Sequence, residues 1–151
     1  MTNHHTQTTT LHHLSKHYTL KEPKLLYIIE NRKFERITIE ILNNLAPIAF
    51  FPNEITSYPI LNFSFKGLFI KNQINYKKEQ ILNIELEIPT IGKIPMCIEI
   101  IWINHSEPKG GDVEILDIPP EYKTKWAQFI KICTTLKKLK EEYLKLQNEK
   151  T

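Results

Sequence analysis

At 151 residues, with 41% hydrophobic and 25% charged positions, the chain has the size and balance of one globular domain able to bury a real core. A net charge of +3 is too small to argue for duplex nucleic acid, so DNA is not expected as a partner, but it suits a small anionic ligand. Two cysteines, Cys97 and Cys133, cannot staple a small secreted scaffold and read as buried thiols in a reducing compartment.

Residues 1–29 form a polar, histidine-rich lead-in, with His4, His5, His12, His13 and His17. His13 and His17 have a spacing that suits zinc on a helix, but no Cys, Asp or Glu lies nearby to complete a metal set. The first ten residues hold no apolar run, and "LLYII" at 25–29 is far too short to span a bilayer. The expected address is cytoplasmic, without membrane insertion.

From Phe34 the pattern has period two. Ile37, Ile39 and Ile41 alternate with polar positions and predict a half-buried strand. Residues 46–51, 67–71, 81–88, 94–104 and 112–116 are five more strand candidates. In the fourth, Leu82, Ile84, Leu86 and Ile88 share one face. In the fifth, Ile94, Met96, Ile98, Ile100 and Trp102 do, which places Trp102 in the core. Pro and Gly punctuate the intervals. Six short alternating strands predict a mainly β protein, an antiparallel barrel or sandwich.

The ending changes period. Pro119 and Pro120 precede a run in which Phe129, Ile132, Leu136, Leu139, Tyr143 and Leu146 recur at steps of three and four, the seam of one long helix. Trp126, Ile130 and Cys133 widen its first half, which should pack on the barrel. The second half, residues 136–151, has a thinner stripe among charges and is expected to project or to pair with another helix.

Two stretches carry chemistry. In "NRKFER" (31–36) stand Arg32 and Arg36, the only arginines of a chain with twenty Lys plus Arg. Arginine differs from lysine where a planar, forked cation must bond a phosphate or lie on a flat ring. In "LNFSFKG" (61–67), Asn62 and Ser64 are two apart and share a face of extended chain, offering donors and acceptors suited to a purine edge. Gly67 permits close approach of a ligand or another backbone.

Arg32, Arg36, Asn62, Ser64 and Gly67 together resemble the two-part signature of PilZ domains, Arg-x-x-x-Arg followed by Asp/Asn-x-Ser-x-x-Gly. The Gly-Leu-Phe continuation at 67–69 and the "GGDVEILDIPPE" passage at 110–121 are similar to that family too. The resemblance covers residues 30–135. It implies a six-stranded antiparallel β-barrel with a C-terminal α-helix, and a non-catalytic receptor for cyclic di-GMP. Arg32 and Arg36 would then meet phosphates and guanines, Asn62 and Ser64 a guanine edge, and Gly67 would leave room for the base. It also implies an effector protein as partner, with a homodimer through the C-terminal helix as a further expectation. Two other readings stand beside it: a PilZ-like adaptor that binds no nucleotide, and a small barrel for single-stranded nucleic acid, which would need Trp102 exposed beside lysines. No nucleophile–base pair, metal set or phosphate loop points to an enzyme.

Overall fold

The alternation in residues 81–88 and 94–104 becomes the backbone of a closed sheet. The structure, a computed structural model, describes residues 35–42, 46–72 and 74–149. The strands are β1 (Ile37–Thr38), β2 (Ile48–Phe50), β3 (Ser57–Phe63), β4 (Gly67–Lys71), β5 (Ile81–Ile88), β6 (Gly92–Asn104) and β7 (Gly110–Asp117). A 3-10 turn (Ile39–Ile41) follows β1, and one helix, α1 (Pro120–Glu149), ends the order. Every pairing is antiparallel. The order β1-β3-β2-β5-β6-β7-β4 closes on itself because β3 also pairs with β4. The result is a six-stranded antiparallel barrel of β2 to β7, with β1 as an extra strand beside the end of β3.

Inward positions are apolar on every strand. Ile60, Phe63, Leu68, Ile70, Ile84, Leu86, Ile88, Ile94, Met96, Ile98, Ile100, Val113 and Ile115 are all buried. Bulges correct the phase where strict alternation would fail. The register of β3 on β4 shifts between Ile60 and Asn62, so Ile60 and Phe63, three apart, both face inward. On β6 the register against β7 shifts between Ile100 and Trp102. Ile101 is the additional residue, and Ile103 resumes packing on the core.

That second bulge corrects the expectation for Trp102. The side chain falls opposite Asp112 on the outer face. It is half-buried, with the Lys78 ammonium 5.5 Å from its ring centroid, a cation–π separation. Two further expectations change. The strand expected over 37–41 stops at Thr38. Leu42 N–H donates to Ile39 C=O at 2.8 Å, which winds the chain so that Ile39 and Leu42 face the core three residues apart. Its place in the barrel is taken by β3, which the sequence reading did not foresee as a strand. Cys133 is buried as expected, but Cys97 is half-buried, and both are free thiols.

Pro120 opens α1 at the position where a missing N–H costs nothing. Trp126, Phe129 and Cys133, at helical spacing, are its buried residues. The Phe129 ring stacks on Phe63 at 5.4 Å, and Trp126 lies 6.5 Å from the same ring. Truncating either aromatic to Ala would cost about 3–5 kcal/mol by the usual core values. From Thr134 onward the side chains of the helix are exposed, apart from half-buried Lys137, whose ammonium pairs with Glu35.

Candidate functional site

The tight hairpin joining β3 to β4 carries the second sequence motif. Phe63 pairs with Leu68, which leaves Ser64 opposite Gly67 and only Phe65 and Lys66 at the tip. Ser64 N–H donates to Gly67 C=O at 2.8 Å, and Ser64 Oγ accepts from Lys66 N–H at 3.3 Å. Ser64 is thus partly a turn residue, and it is buried. Because Phe63 points into the barrel, its neighbours Asn62 and Ser64 both face outward.

Ladder pairing extends this outer face sideways. Thr38 lies opposite Asn62, Asn62 opposite Phe69, Phe69 opposite Asp112, and Asp112 opposite Trp102. Residues directly opposite in a ladder share a face. One row therefore runs across β1, β3, β4, β7 and β6, combining an amide, a carboxylate and two aromatic rings.

Arg36 reaches onto this row from the residue before β1. Its Nη1 donates to Asn62 Oδ1 at 2.8 Å, and its Nη2 is 3.1 Å from Asp112 Oδ1. The two side chains of the ion pair are 10% and 4% exposed, so the contact is shielded from water and strong for its kind. Gly67 makes the position available. A Cβ at residue 67 would overlap Arg36 Nη2 and stand 3.1 Å from Cζ. The space that the sequence reading reserved for a base is occupied here by the guanidinium.

Arg36, Asn62, Ser64 and Gly67 are thereby brought together on one patch. Arg32 lies outside the described residues, as does the whole lead-in of residues 1–29. Asp112 was missed. The signal available was a carboxylate at an outward position of β7, inside the "GGDVEIL" passage already noted for another reason. Arg36 pairs across the sheet with Asp112, and Glu35 with Lys137. His105 is exposed beside a turn. Among the described residues no group of His, Cys, Asp and Glu could hold a metal ion, and no helix is long and apolar enough to cross a membrane.

The hairpin also touches the helix. Trp126 Nε1–H donates to the Phe65 carbonyl at 3.0 Å. A seven-residue segment thus presents polar groups outward at Asn62 and Ser64 and meets α1 through Phe63 and Phe65.

No protein-family model matches the sequence, and no curated protein does. Solved structures do match. YcgR of Escherichia coli in complex with c-di-GMP superposes with a TM-score of 0.56 at 12% identity, covering 77% of this chain and 50% of that one. The motility inhibitor MotI (DgrA) of Bacillus subtilis gives 0.53 at 14% identity, covering 72% and 52%. The PilZ domain of Escherichia coli YcgR with c-di-GMP gives 0.51 at 12% identity, covering 76% of this chain and 98% of the domain. The chain spans about half the length of the first two proteins and nearly the whole of the isolated domain. The likeness establishes the fold: this chain carries a PilZ-like domain.

Proposed function

We propose that the protein is a non-catalytic receptor for cyclic di-GMP that passes ligand occupancy to a partner protein in the cytoplasm of a bacterium. One observation carries this reading. Arg36 of the first half of the motif meets the second half on one outward patch, where it bonds Asn62 across 26 residues of sequence and Gly67 makes the space. Solved neighbours of the same fold hold c-di-GMP, which supports the choice of ligand. A dianion with two flat purines needs planar cations, edge donors and acceptors, and a flat neighbour, and the row from Asn62 to Trp102 offers that chemistry. Arg32 would add a second planar cation. Occupancy would reach α1 through the hairpin, since the segment that presents Asn62 and Ser64 also holds Phe63 against Phe129 and the Phe65 carbonyl against Trp126 Nε1–H.

A second reading has its own support. The Arg36 guanidinium already has two side-chain partners within the chain, which fits a PilZ-like adaptor that acts by protein contact without nucleotide. Calorimetric titration with cyclic di-GMP, with GTP and linear pGpG as controls, decides between them. The receptor reading expects saturable binding of the cyclic ligand alone. A clean null at high protein concentration would leave the adaptor.

A further inference from the structure

We infer that Asp112 is a positioning residue for the nucleotide site: it fixes the guanidinium of Arg36 over Gly67 before any ligand arrives. The inference rests on the receptor reading above for what the site binds, but not for what Asp112 does to Arg36. Arg36 itself precedes the two-residue strand β1, so its own element gives it little order. Asp112 is anchored far better. It sits inside β7, paired with Phe69 of β4 on one side and Trp102 of β6 on the other, and its side chain is 4% exposed. A carboxylate held that rigidly imposes its geometry on the more mobile partner.

Two contacts at different ends of a planar fork define the plane. Nη1 goes to Asn62 and Nη2 to Asp112, and the absent side chain at 67 is what lets the fork lie there. Losing either contact would loosen the guanidinium, and a ligand would then have to freeze it. The pairing has an electrostatic consequence. Asp112 balances the charge of Arg36, so Arg36 contributes a fixed plane more than a free positive charge, and neutralising phosphate falls chiefly to other cations. Asp112 is the more deeply buried of the two, so its own charge is screened from a ligand by the cation it holds.

The test compares Asp112→Ala and Asp112→Asn with wild type in the full chain. The first readout needs no ligand: the Nε–H resonance of 15N-labelled Arg36, assigned with Arg36→Lys. Wild type and Asp112→Asn should show an ordered, slowly exchanging signal, because Asn retains an acceptor for Nη2. Asp112→Ala should lose it. The second readout is calorimetric affinity for cyclic di-GMP. Asp112→Ala should weaken binding by about tenfold or more, equivalent to at least ~1.4 kcal/mol, while Asp112→Asn should match or exceed wild type. An Arg36 signal that stays ordered in Asp112→Ala, or undiminished affinity in that variant, overturns the inference. If Asp112→Ala fails to fold, a folded Asp112→Asn that binds tenfold more weakly, or that loses the arginine signal, overturns it as well. Absence of binding by wild type would remove the receptor reading, and the arginine resonance would still judge Asp112.

Discussion

Gly67 lies directly against the guanidinium of Arg36, close enough that a Cβ at residue 67 and Nη2 would occupy the same space. The far end of a flexible side chain can move aside, so Gly67→Ala should fold. Moving aside would weaken its ion pair with buried Asp112, and weakening a buried ion pair costs up to about 3–5 kcal/mol. Gly67→Ala is therefore expected to lower thermal stability and cyclic di-GMP affinity together. Adding Asp112→Asn should recover much of the stability without recovering the affinity. Unchanged affinity in Gly67→Ala would refute this account of the glycine.

The arginines should not be replaceable by lysine. Arg36→Lys retains one charge but cannot span Asn62 and Asp112 with one ammonium. Arg36→Ala and Arg32→Ala should each weaken cyclic di-GMP binding by about 2–5 kcal/mol, the cost of truncating a sequestered charged contact, and the lysine variants should recover only part of this. Wild-type affinity in Arg36→Lys would show that the planar fork is not what the ligand uses.

Asn62→Ala and Ser64→Ala should reduce affinity by about 0.5–3 kcal/mol each. Asn62→Ala should have the larger effect, because it also removes an acceptor from Arg36. Ser64 has a second task in the hairpin turn, so its removal should cost some stability in addition. Cyclic di-AMP is the informative control: equal affinity for it would argue against readout of a guanine edge by these residues.

Most of the barrel was visible in the alternation of β5 and β6, since a period of two with β-branched residues has few other readings. What escaped was governed by bulges and by proline. Pro59 and the outward polar residues of β3 hide that strand, and the bulge at Leu61 spoils its period. The bulge at Ile101 moved Trp102 from the core to the outer face. One additional residue reverses a strand's sidedness, and nothing local in an all-apolar run such as "IIWI" (100–103) marks where it falls. The candidate arginines stood out because arginine is rare in this lysine-rich chain, and of the two Arg36 meets Asn62 and Gly67 while Arg32 lies outside the described residues. Asp112 did not stand out, because its role depends on strand pairings that only the closed sheet reveals.

Alkaline pH should destabilise the fold ahead of any global effect on lysine. Burial pushes the Cys133 thiol up from 9.0 to about 11. The hydrogen bond to Glu54, then burial, pushes Tyr58 up from 10.0 to about 12. In both cases the folded state holds its proton more tightly than the unfolded chain. The stabilisation is complete below pH 9 and is lost as pH rises from about 9 towards 12. Denaturant midpoints measured from pH 7 to 11 should fall above pH 9, and less so in Cys133→Ala relative to its own neutral value. A flat profile to pH 11 would contradict the assigned burial of the thiol.

The far half of α1 should be dispensable for the barrel and needed for association. Its buried residues end at Cys133, and Leu139, Tyr143, Leu144 and Leu146 are each more than half exposed. Residues 139–149 add about 16 Å of helix beyond the barrel contact. Leu136, Leu139, Tyr143 and Leu146 keep the three-and-four spacing of a coiled-coil seam, the pattern expected of a contact surface. The flanking charges do not oppose a parallel partner of the same sequence. With Leu136 and Leu139 at the seam, Lys140 would face Thr135 and Glu142 would face Gln147 of a second copy, so no like charges meet. Two heptads bind weakly on their own, so association should appear only at high protein concentration. Truncation after Lys138 keeps the Glu35–Lys137 pair and every buried residue of the helix. It should leave thermal stability and cyclic di-GMP affinity nearly unchanged, and sedimentation should show the loss of any concentration-dependent dimer. If the truncated protein unfolds, the segment belongs to the core. If it dimerises as before, the seam is an effector surface or none at all, and pull-down with the full-length chain as bait is the next measurement.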